Sequence, residues 1–146
     1  MKKLLSVILV ICSLLGGHAY SEIIKFDKCW PTLQGVNSYT EFKKESDYDE
    51  WYWEIDLKKN KATRVTILND KTIKHYIAMG AKNVEKYSID TFKINSSSSI
   101  FIKVIDTTDF GKDTNKKYTF NLKNAEINSS NKFNDLNKSQ CTIYRN

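Results

Sequence analysis

Glycine and proline are scarce in this chain, with only 5 Gly and 1 Pro among 146 residues. Its turns must therefore be made mainly by Asn, Asp, Ser and Lys, because these residues close turns through side-chain hydrogen bonds or tolerate the left-handed conformation. Hydrophobic residues make up 40% of the chain and aromatic residues 12%. This composition excludes a disordered protein and suits one domain with a core.

Arginine is nearly absent as well, since Arg64 and Arg145 are the only two in the sequence. Base readout and bidentate phosphate binding favour the guanidinium fork over lysine, so no nucleic-acid partner is expected. The formal charge is +6, and removal of an N-terminal segment with Lys2 and Lys3 leaves 21 basic against 17 acidic residues, a net charge of +4. The lysines are interpreted mainly as solvated surface residues.

Long hydrophobic runs are missing except at the N-terminus. Two lysines precede an apolar run over residues 4–15, and small residues follow it, which is the pattern of a secretory signal peptide. Cleavage is predicted after Ala19, with Ser21 as the alternative, so that 20–146 form a single antiparallel β domain. The expected location is secreted or periplasmic. No later stretch approaches the ~20 apolar residues of a membrane-spanning helix, so no transmembrane segment is expected in the mature chain.

Cysteine is also rare. Outside the predicted signal peptide the chain contains only Cys29 and Cys141, and an even count in an oxidising compartment predicts a disulfide. The chain-entropy model assigns a loop of this length on the order of 4 to 5 kcal/mol of stability. Because bonded cysteines need Cα atoms within about 7 Å, the first strand of the mature chain is expected beside the last.

The stretch 50–68 has the most regular pattern in the chain. Trp51, Trp53, Ile55 and Leu57 alternate with polar residues and predict a half-buried strand. The polar segment 59–61 predicts a turn, and the chain returns with Val65 and Ile67 on one face, which completes a β-hairpin.

Further strands are predicted before and after this hairpin. They cover 23–30, 72–79, 85–94, 98–105, 118–122 with a weak continuation at Ala125 and Ile127, and 140–144. In 85–94 the apolar positions change from odd to even, which predicts a β-bulge or a sheet bend. A Ser38-x-x-Glu41 capping box predicts one short helix near 38–45, whereas 106–115 and 129–139 are predicted as polar loops.

The predicted fold is all-β. It is a single antiparallel meander of about eight strands, because short connectors join antiparallel neighbours, whereas a parallel crossover needs a dozen residues or more. Both a barrel and a two-sheet sandwich fit this pattern, and the predicted disulfide between the end strands favours closure.

No catalytic residue, cofactor or metal site is predicted. The one histidine outside the signal peptide, His75, lies in a predicted strand among isoleucines and is interpreted as a structural residue. Carboxylates crowd 47–50, but without the glycine and distal glutamate of a calcium loop. Glu54 and Asp56 share a strand face, which leaves a carboxylate-dependent hydrolase only as a weak alternative.

Tryptophan gives the one indication of binding. Trp30, Trp51 and Trp53 are candidate ligand-facing aromatics, since indole rings line apolar pockets, although alternation also suits a core. The leading hypothesis is a small non-enzymatic protein that binds a small ligand or a partner through an aromatic-lined sheet. The alternative is an envelope-associated interaction protein that binds anionic surfaces.

Overall fold

The computed structural model describes residues 22–32, 35–44, 48–133 and 135–146. The predicted signal peptide and its cleavage site lie outside these ranges, as does Asp47. Eight strands form a closed barrel in which each strand pairs with the next and the last pairs with the first. The strands are β1 Ile23–Pro31, β2 Glu50–Asp56, β3 Lys61–Ile67, β4 Tyr87–Ser97, β5 Phe101–Ile105, β6 Lys117–Asn121, β7 Glu126–Ser130 and β8 Asn137–Arg145. All pairings are antiparallel, so the predicted meander is confirmed in its barrel form.

Three helices connect strands at the same end of this barrel. They are α1 Tyr39–Lys44 between β1 and β2, α2 Asp70–Ala78 between β3 and β4, and α3 Asp109–Thr114 between β5 and β6. Because neighbouring strands run in opposite directions, these connections and the one between β7 and β8 lie together at one end, here called the helix end. The other end is here called the turn end. It contains the shorter connections β2–β3, β4–β5 and β6–β7, and there the backbones of Ile23 and Asn146 are hydrogen-bonded to each other.

Apolar side chains fill the barrel from the turn end. Phe26 packs edge-on against Phe120 with ring centroids 5.3 Å apart, and Trp53 packs on Phe120 at 4.9 Å. The inward faces of the strands supply the rest of this core, including Ile24, Ile55, Ala62, Phe92, Ile94, Ile102, Val104 and Ile127. Burial of these side chains at roughly 25 cal/mol per Å² is the main force that closes the sheet.

The predicted disulfide is confirmed and joins the two strands that close the barrel. Cys29 of β1 and Cys141 of β8 are bonded, with Cα atoms 4.1 Å apart. The register between these strands shifts between Asp27 and Trp30, and Lys28 has a positive φ of 49°. This bulge reverses the alternation of β1, so that Cys29 points inward and is fully buried.

The stretch 72–79, predicted as a strand, is instead helix α2. Asn69 caps it, because its side-chain oxygen accepts a hydrogen bond from the backbone N–H of Thr72 at 2.8 Å. The isoleucines at 73 and 77 are spaced for one face of a helix as well as for one face of a strand, and the cap selects the helix. His75 therefore lies on an exposed helix rather than on a sheet face.

The β-bulge or sheet bend predicted within 85–94 is not found against β3, although the register of β4 against β5 shifts between Ile94 and Ser96, at the end of that stretch. The register between β3 and β4 runs without a break from the Ile67–Tyr87 pair to the Lys61–Lys93 pair. Tyr87 and Ile89 point outward and are 55% and 66% exposed, whereas Phe92 and Ile94 point into the barrel. The apparent change of phase arises because inward position 90 is occupied by an aspartate.

Three smaller predictions can be compared with the structure. The short helix near 38–45 is confirmed as α1, with the Ser38 hydroxyl accepting a bond from the Glu41 N–H at 3.1 Å. The segment 106–115, predicted as a loop, contains α3, which Thr108 caps by accepting from the Gly111 N–H. Of the weak continuation at Ala125 and Ile127, Ile127 lies in the separate strand β7, whereas Ala125 lies in the turn before it with a positive φ of 56°.

Candidate functional site

The inward faces of several strands change from apolar to polar toward the helix end. On β3, Ala62 is followed inward by Arg64 and Thr66, which face Trp53 and Trp51 across the pairing with β2. On β4, Asp90 takes the inward position opposite Arg64. The barrel is thus filled by apolar side chains in one half and lined by polar groups in the other.

A cavity of about 350 Å³ opens in the polar half. This volume is near the lower end of the roughly 300–1,000 Å³ of small-molecule sites. Its aromatic lining consists of Phe42, Tyr48, Trp51, Trp53 and Tyr118, and its polar lining consists of Arg64, Thr66, Lys116, Ser129, Asn137 and Ser139. Among the described residues, the lining includes two cationic side chains and no carboxylate.

A hydrogen-bonded chain of side chains lies at the inner end of this cavity and is here called the Arg64 network. It consists of Arg64, Asp90, Tyr118 and Asp106. The Arg64 guanidinium donates to one Asp90 oxygen from Nη2 at 2.7 Å and from Nε at 3.2 Å, and its Nη1 donates to the Tyr118 hydroxyl at 2.7 Å. That hydroxyl donates in turn to Asp106 Oδ2 at 3.1 Å.

The Arg64 guanidinium also lies against three aromatic rings. Its Cζ is 5.6 to 5.8 Å from the ring centroids of Trp53, Phe92 and Tyr118, which are cation–π distances. Burial alone would lower the pKa of Arg64, but Tyr118, Asp90 and Asp106 outweigh it and raise the pKa above its ordinary value. Arg64 is therefore a permanent cation in the cavity.

Tyr118 links the Arg64 guanidinium to the buried Asp106 carboxylate. Burial, assisted by Asp106, raises the pKa of Tyr118 above its ordinary value despite the opposing effect of Arg64. The phenol thus stays protonated and donates. Asp106 is only 2% exposed, and its Oδ1 accepts from the backbone N–H and the hydroxyl of Thr108 at 3.0 and 2.6 Å.

Lys116 is the second cation of the lining. It immediately precedes β6, and its Nζ lies 5.4 Å from the Tyr118 ring centroid. Burial and the neighbouring Arg64 lower the pKa of Lys116, although Asp106 opposes this effect. The two cations therefore lie close enough to influence each other in a partly desolvated site.

Helix α1 and the start of β2 form an aromatic cover over the cavity. The Phe42 ring stacks on Tyr48 with centroids 5.4 Å apart and meets Trp51 edge-on at 5.6 Å. Tyr39 donates to Glu50 at 2.6 Å, and Lys43 pairs with the same carboxylate. These contacts fix α1 to β2 beside the cavity.

The sequence-predicted site residues separate into two groups. Trp51 and Trp53 line the cavity, and Trp53 is at the same time one of the largest core residues. Trp30 is paired with Gln140 on the face of β1 opposite to Cys29 and is not part of the lining.

The carboxylates considered for a hydrolase make separate structural contacts. Asp49 accepts from the Asn69 N–H, Glu50 binds Tyr39 and Lys43, and Asp56 accepts from the Lys59 N–H. Glu54 lies opposite Lys25 of β1. Within the part of the chain that the structure describes, no group of three or more His, Cys, Asp or Glu residues is placed to hold a metal ion.

The Arg64 network was missed by the sequence reasoning. Its signal is a charged residue at an inward position of each of two adjacent strands, Arg64 next to Ala62 and Asp90 next to Phe92. Such a signal becomes readable only when the pairing of the two strands is known.

Comparisons with protein-family models, with curated proteins and with solved structures give no match to this chain. In the described ranges, no helix has the length and apolar character needed to cross a membrane.

Proposed function

We propose that this protein is a secreted or periplasmic binding protein that holds a small ligand in the cavity at the helix end of its barrel. The observation that carries the proposal is the cavity of about 350 Å³, in which aromatic faces and polar groups converge. A concave site with an apolar lining and a few placed polar groups is the usual form of a small-molecule site. The disulfide supports a location in an oxidising compartment.

The Arg64 network supports a binding role because charged side chains at these positions are expected to contribute little to the stability of the fold. Ion pairs that are partly withdrawn from water are often no more stabilising than apolar residues of the same volume, and the Arg64 and Asp90 side chains are only 24% and 28% exposed. Here Arg64 and Asp90 occupy inward positions of a barrel whose other half is filled by apolar side chains. A cluster of charged groups in a cleft is a candidate functional site for this reason.

The test is a pair of tryptophan substitutions on β3. Thr66 faces the cavity, whereas Thr63 lies on the outward face of the same strand. Thr66→Trp should fill the cavity, and Thr63→Trp should leave it open. The probe is phenylnaphthylamine, a neutral aromatic dye, with dye emission and quenching of tryptophan fluorescence as the readouts.

Binding of one dye per chain to the parent protein and to Thr63→Trp, but not to Thr66→Trp, is the expected result. Native mass spectrometry of the freshly purified protein should show any retained small molecule with the same dependence. Dye binding of equal strength in both variants would place the dye outside the cavity. A protein that binds no dye and carries no added mass would overturn the proposal.

A second candidate function is association with anionic surfaces, and helix α2 favours it. None of its residues is buried, and Tyr76, Ile77 and Met79 at its C-terminal end are 45%, 55% and 72% exposed. The segment 70–86 contains four lysines against two carboxylates. Exposed apolar side chains with nearby lysines suit a surface of anionic lipid.

Cosedimentation with phosphatidylglycerol vesicles tests this second function. Binding should occur at low salt, weaken at high salt and be lost in an Ile77→Ser, Met79→Ser variant. Leu57→Ser is the control, because Leu57 is an exposed apolar residue at the turn end. Absence of binding to these vesicles at low salt would exclude this function.

A further inference from the structure

The geometry points to a ligand of one chemical class: we infer that the cavity takes a small molecule with an apolar or aromatic body and one anionic group, a carboxylate, sulfonate or phosphate ester, bound by Arg64 and Lys116. This inference rests on the proposed ligand-binding function and specifies the ligand.

The charges that line the cavity carry the inference. Arg64 and Lys116 both belong to the lining, and none of the described lining residues is a carboxylate. Asp90 and Asp106 belong to the Arg64 network but not to the lining, so they hold the cationic end of the site from outside the cavity. An anion in the cavity would therefore contact the hydrogen-bond donors of Arg64 and Lys116 rather than a carboxylate.

The guanidinium keeps donor capacity for such an anion. Its bonds to Asp90 and Tyr118 use three N–H groups, from Nε, Nη2 and Nη1, of the five that an arginine carries. Its position is fixed before any ligand arrives, because the Asp90 carboxylate and three aromatic rings already orient it. A preorganised donor loses little conformational freedom when it binds an anion.

A cationic ligand is the main competing class, since clusters of aromatic rings also bind cations. In this barrel, however, the faces of Trp53 and Tyr118 are already occupied by Arg64, and Lys116 lies over Tyr118. A second cation would be repelled by both side chains. The same contacts that satisfy these rings therefore select against a cationic ligand.

The order of the lining residues along the strands predicts how a bound ligand is oriented in the cavity. Arg64 is paired with Trp53, whereas Thr66 is paired with Trp51, one step closer to the helix end. At the cover, Phe42 meets Trp51 edge-on and stacks on Tyr48. The anionic group should thus bind at the inner end of the cavity, with the apolar body against Trp51 and Phe42.

The decisive experiment compares two dyes that differ by one charge. Anilinonaphthalene sulfonate carries the aromatic body of phenylnaphthylamine together with a sulfonate. A charge-assisted hydrogen bond in a partly buried site is worth on the order of a tenfold gain in affinity or more. The parent protein should therefore bind the sulfonate at least about tenfold more tightly than the neutral dye.

The variants Arg64→Gln and Lys116→Gln should remove most of this preference, because each should weaken binding of the sulfonate more than binding of the neutral dye. Lys116→Gln is the safer of the two for folding, because Arg64→Gln leaves the Asp90 carboxylate without its partner. Lys103→Gln is the control, since Lys103 is exposed on the outward face of β5. Thr66→Trp separates cavity binding from adsorption elsewhere.

Each outcome assigns success or failure to one of the two proposals. Equal affinity for both dyes, with binding blocked by Thr66→Trp, would overturn the anionic-ligand inference and leave the binding function in place. A preference for the sulfonate that survives Lys116→Gln and a folded Arg64→Gln would also overturn the inference. Failure of both dyes to bind the cavity, together with no added mass in native mass spectrometry, would overturn the binding function itself.

Discussion

Asp106 is a buried carboxylate that is held in place by hydrogen bonds and by the close approach of helix α3. Thr108 donates to it twice, Tyr118 donates once, and its own backbone N–H bonds to the carbonyl of Lys116 at 2.9 Å. Gly111 of α3 lies so close that an added Cβ would fall 2.2 Å from the Asp106 Cγ. Glycine is required at this position because the carboxylate occupies the space of a side chain.

We therefore expect Gly111→Ala to destabilise the protein by about 1 to 3 kcal/mol, as overpacking of a filled site commonly does. The urea midpoint measured by tryptophan fluorescence is the readout. Lys112→Ala is the matched control, because Lys112 is the next residue of the helix and is exposed. Equal midpoints for the two variants would show that the Asp106 site has room to adjust.

Glu50 is the residue that fastens α1 to the barrel. Burial alone would raise the pKa of its carboxyl, but the hydrogen bonds from Lys43 and Tyr39 outweigh burial and lower the pKa below the ordinary value of 4.5. The pKa of Tyr39 is raised, by burial first and then by its bond to Glu50. The ionised carboxylate is thus favoured in the folded protein over the unfolded chain.

A lowered folded-state pKa contributes stability that is present above the unfolded pKa and is lost as the pH falls through the folded value. Glu50→Gln should therefore be less stable than the parent protein at pH 7, by about 1 kcal/mol for the charged hydrogen bonds it removes. The difference should shrink as the pH falls below about 4. Urea midpoints at a series of pH values give the comparison, and a constant difference would contradict the assignment.

Helix α2 differs from α1 in the way that the barrel holds it. Phe42 anchors α1 by burial against two aromatic rings, whereas α2 has no buried residue. The Asn69 cap and the bond from the Asn69 N–H to Asp49 hold its beginning. Most helices in proteins are stabilised by an apolar face packed on the core, so this helix depends unusually strongly on its cap.

Asn69→Ala should consequently unfold α2 without unfolding the barrel. A lost N-cap costs about 1 kcal/mol of helix stability, which is enough to shift a short helix toward the open state. Hydrogen exchange of the amides at 73, 79 and 80 should become much faster, while the global urea midpoint changes little. Loss of stability across the whole protein would mean that α2 is packed more firmly than its exposure indicates.

The barrel as a whole is closed at the pairing of β1 with β8, and this seam is irregular. The Lys28 bulge interrupts its register, and the Cys29–Cys141 bond joins the strands next to the interruption. The cysteines lie 112 residues apart in sequence. Cross-linking such distant positions restricts the unfolded chain strongly and so favours closure.

A Cys29→Ser, Cys141→Ser double variant should keep its β-sheet circular dichroism and lose about 2 to 5 kcal/mol of stability. The midpoint in urea should fall with little change in the native spectrum. Thiol titration of the unfolded, unreduced parent protein should find neither cysteine free. Two titratable thiols would contradict the bond and remove its contribution to closure of the barrel.

Local patterns were sufficient for much of the architecture. The alternation over 50–68 predicted β2, β3 and the turn at Asn60, which has the expected positive φ of 53°. Short connectors predicted antiparallel neighbours, and the cysteine count predicted the disulfide. The same patterns failed at 72–79, where the isoleucine spacing fits both a helix and a strand, because periodicity over a few residues cannot separate the two.

The sequence by itself determined a meander of about eight antiparallel strands with its ends joined by Cys29 and Cys141, because alternation, turn residues and cysteine pairing depend on near neighbours and on counting. Only the tertiary structure decided which polar residues face inward. Arg64, Asp90, Asp106 and Tyr118 come from strands or connections far apart in sequence, and closure of the barrel brings them into one hydrogen-bonded chain. The candidate site depends on strand register, and a register is fixed by the packing of the whole barrel rather than by any one strand.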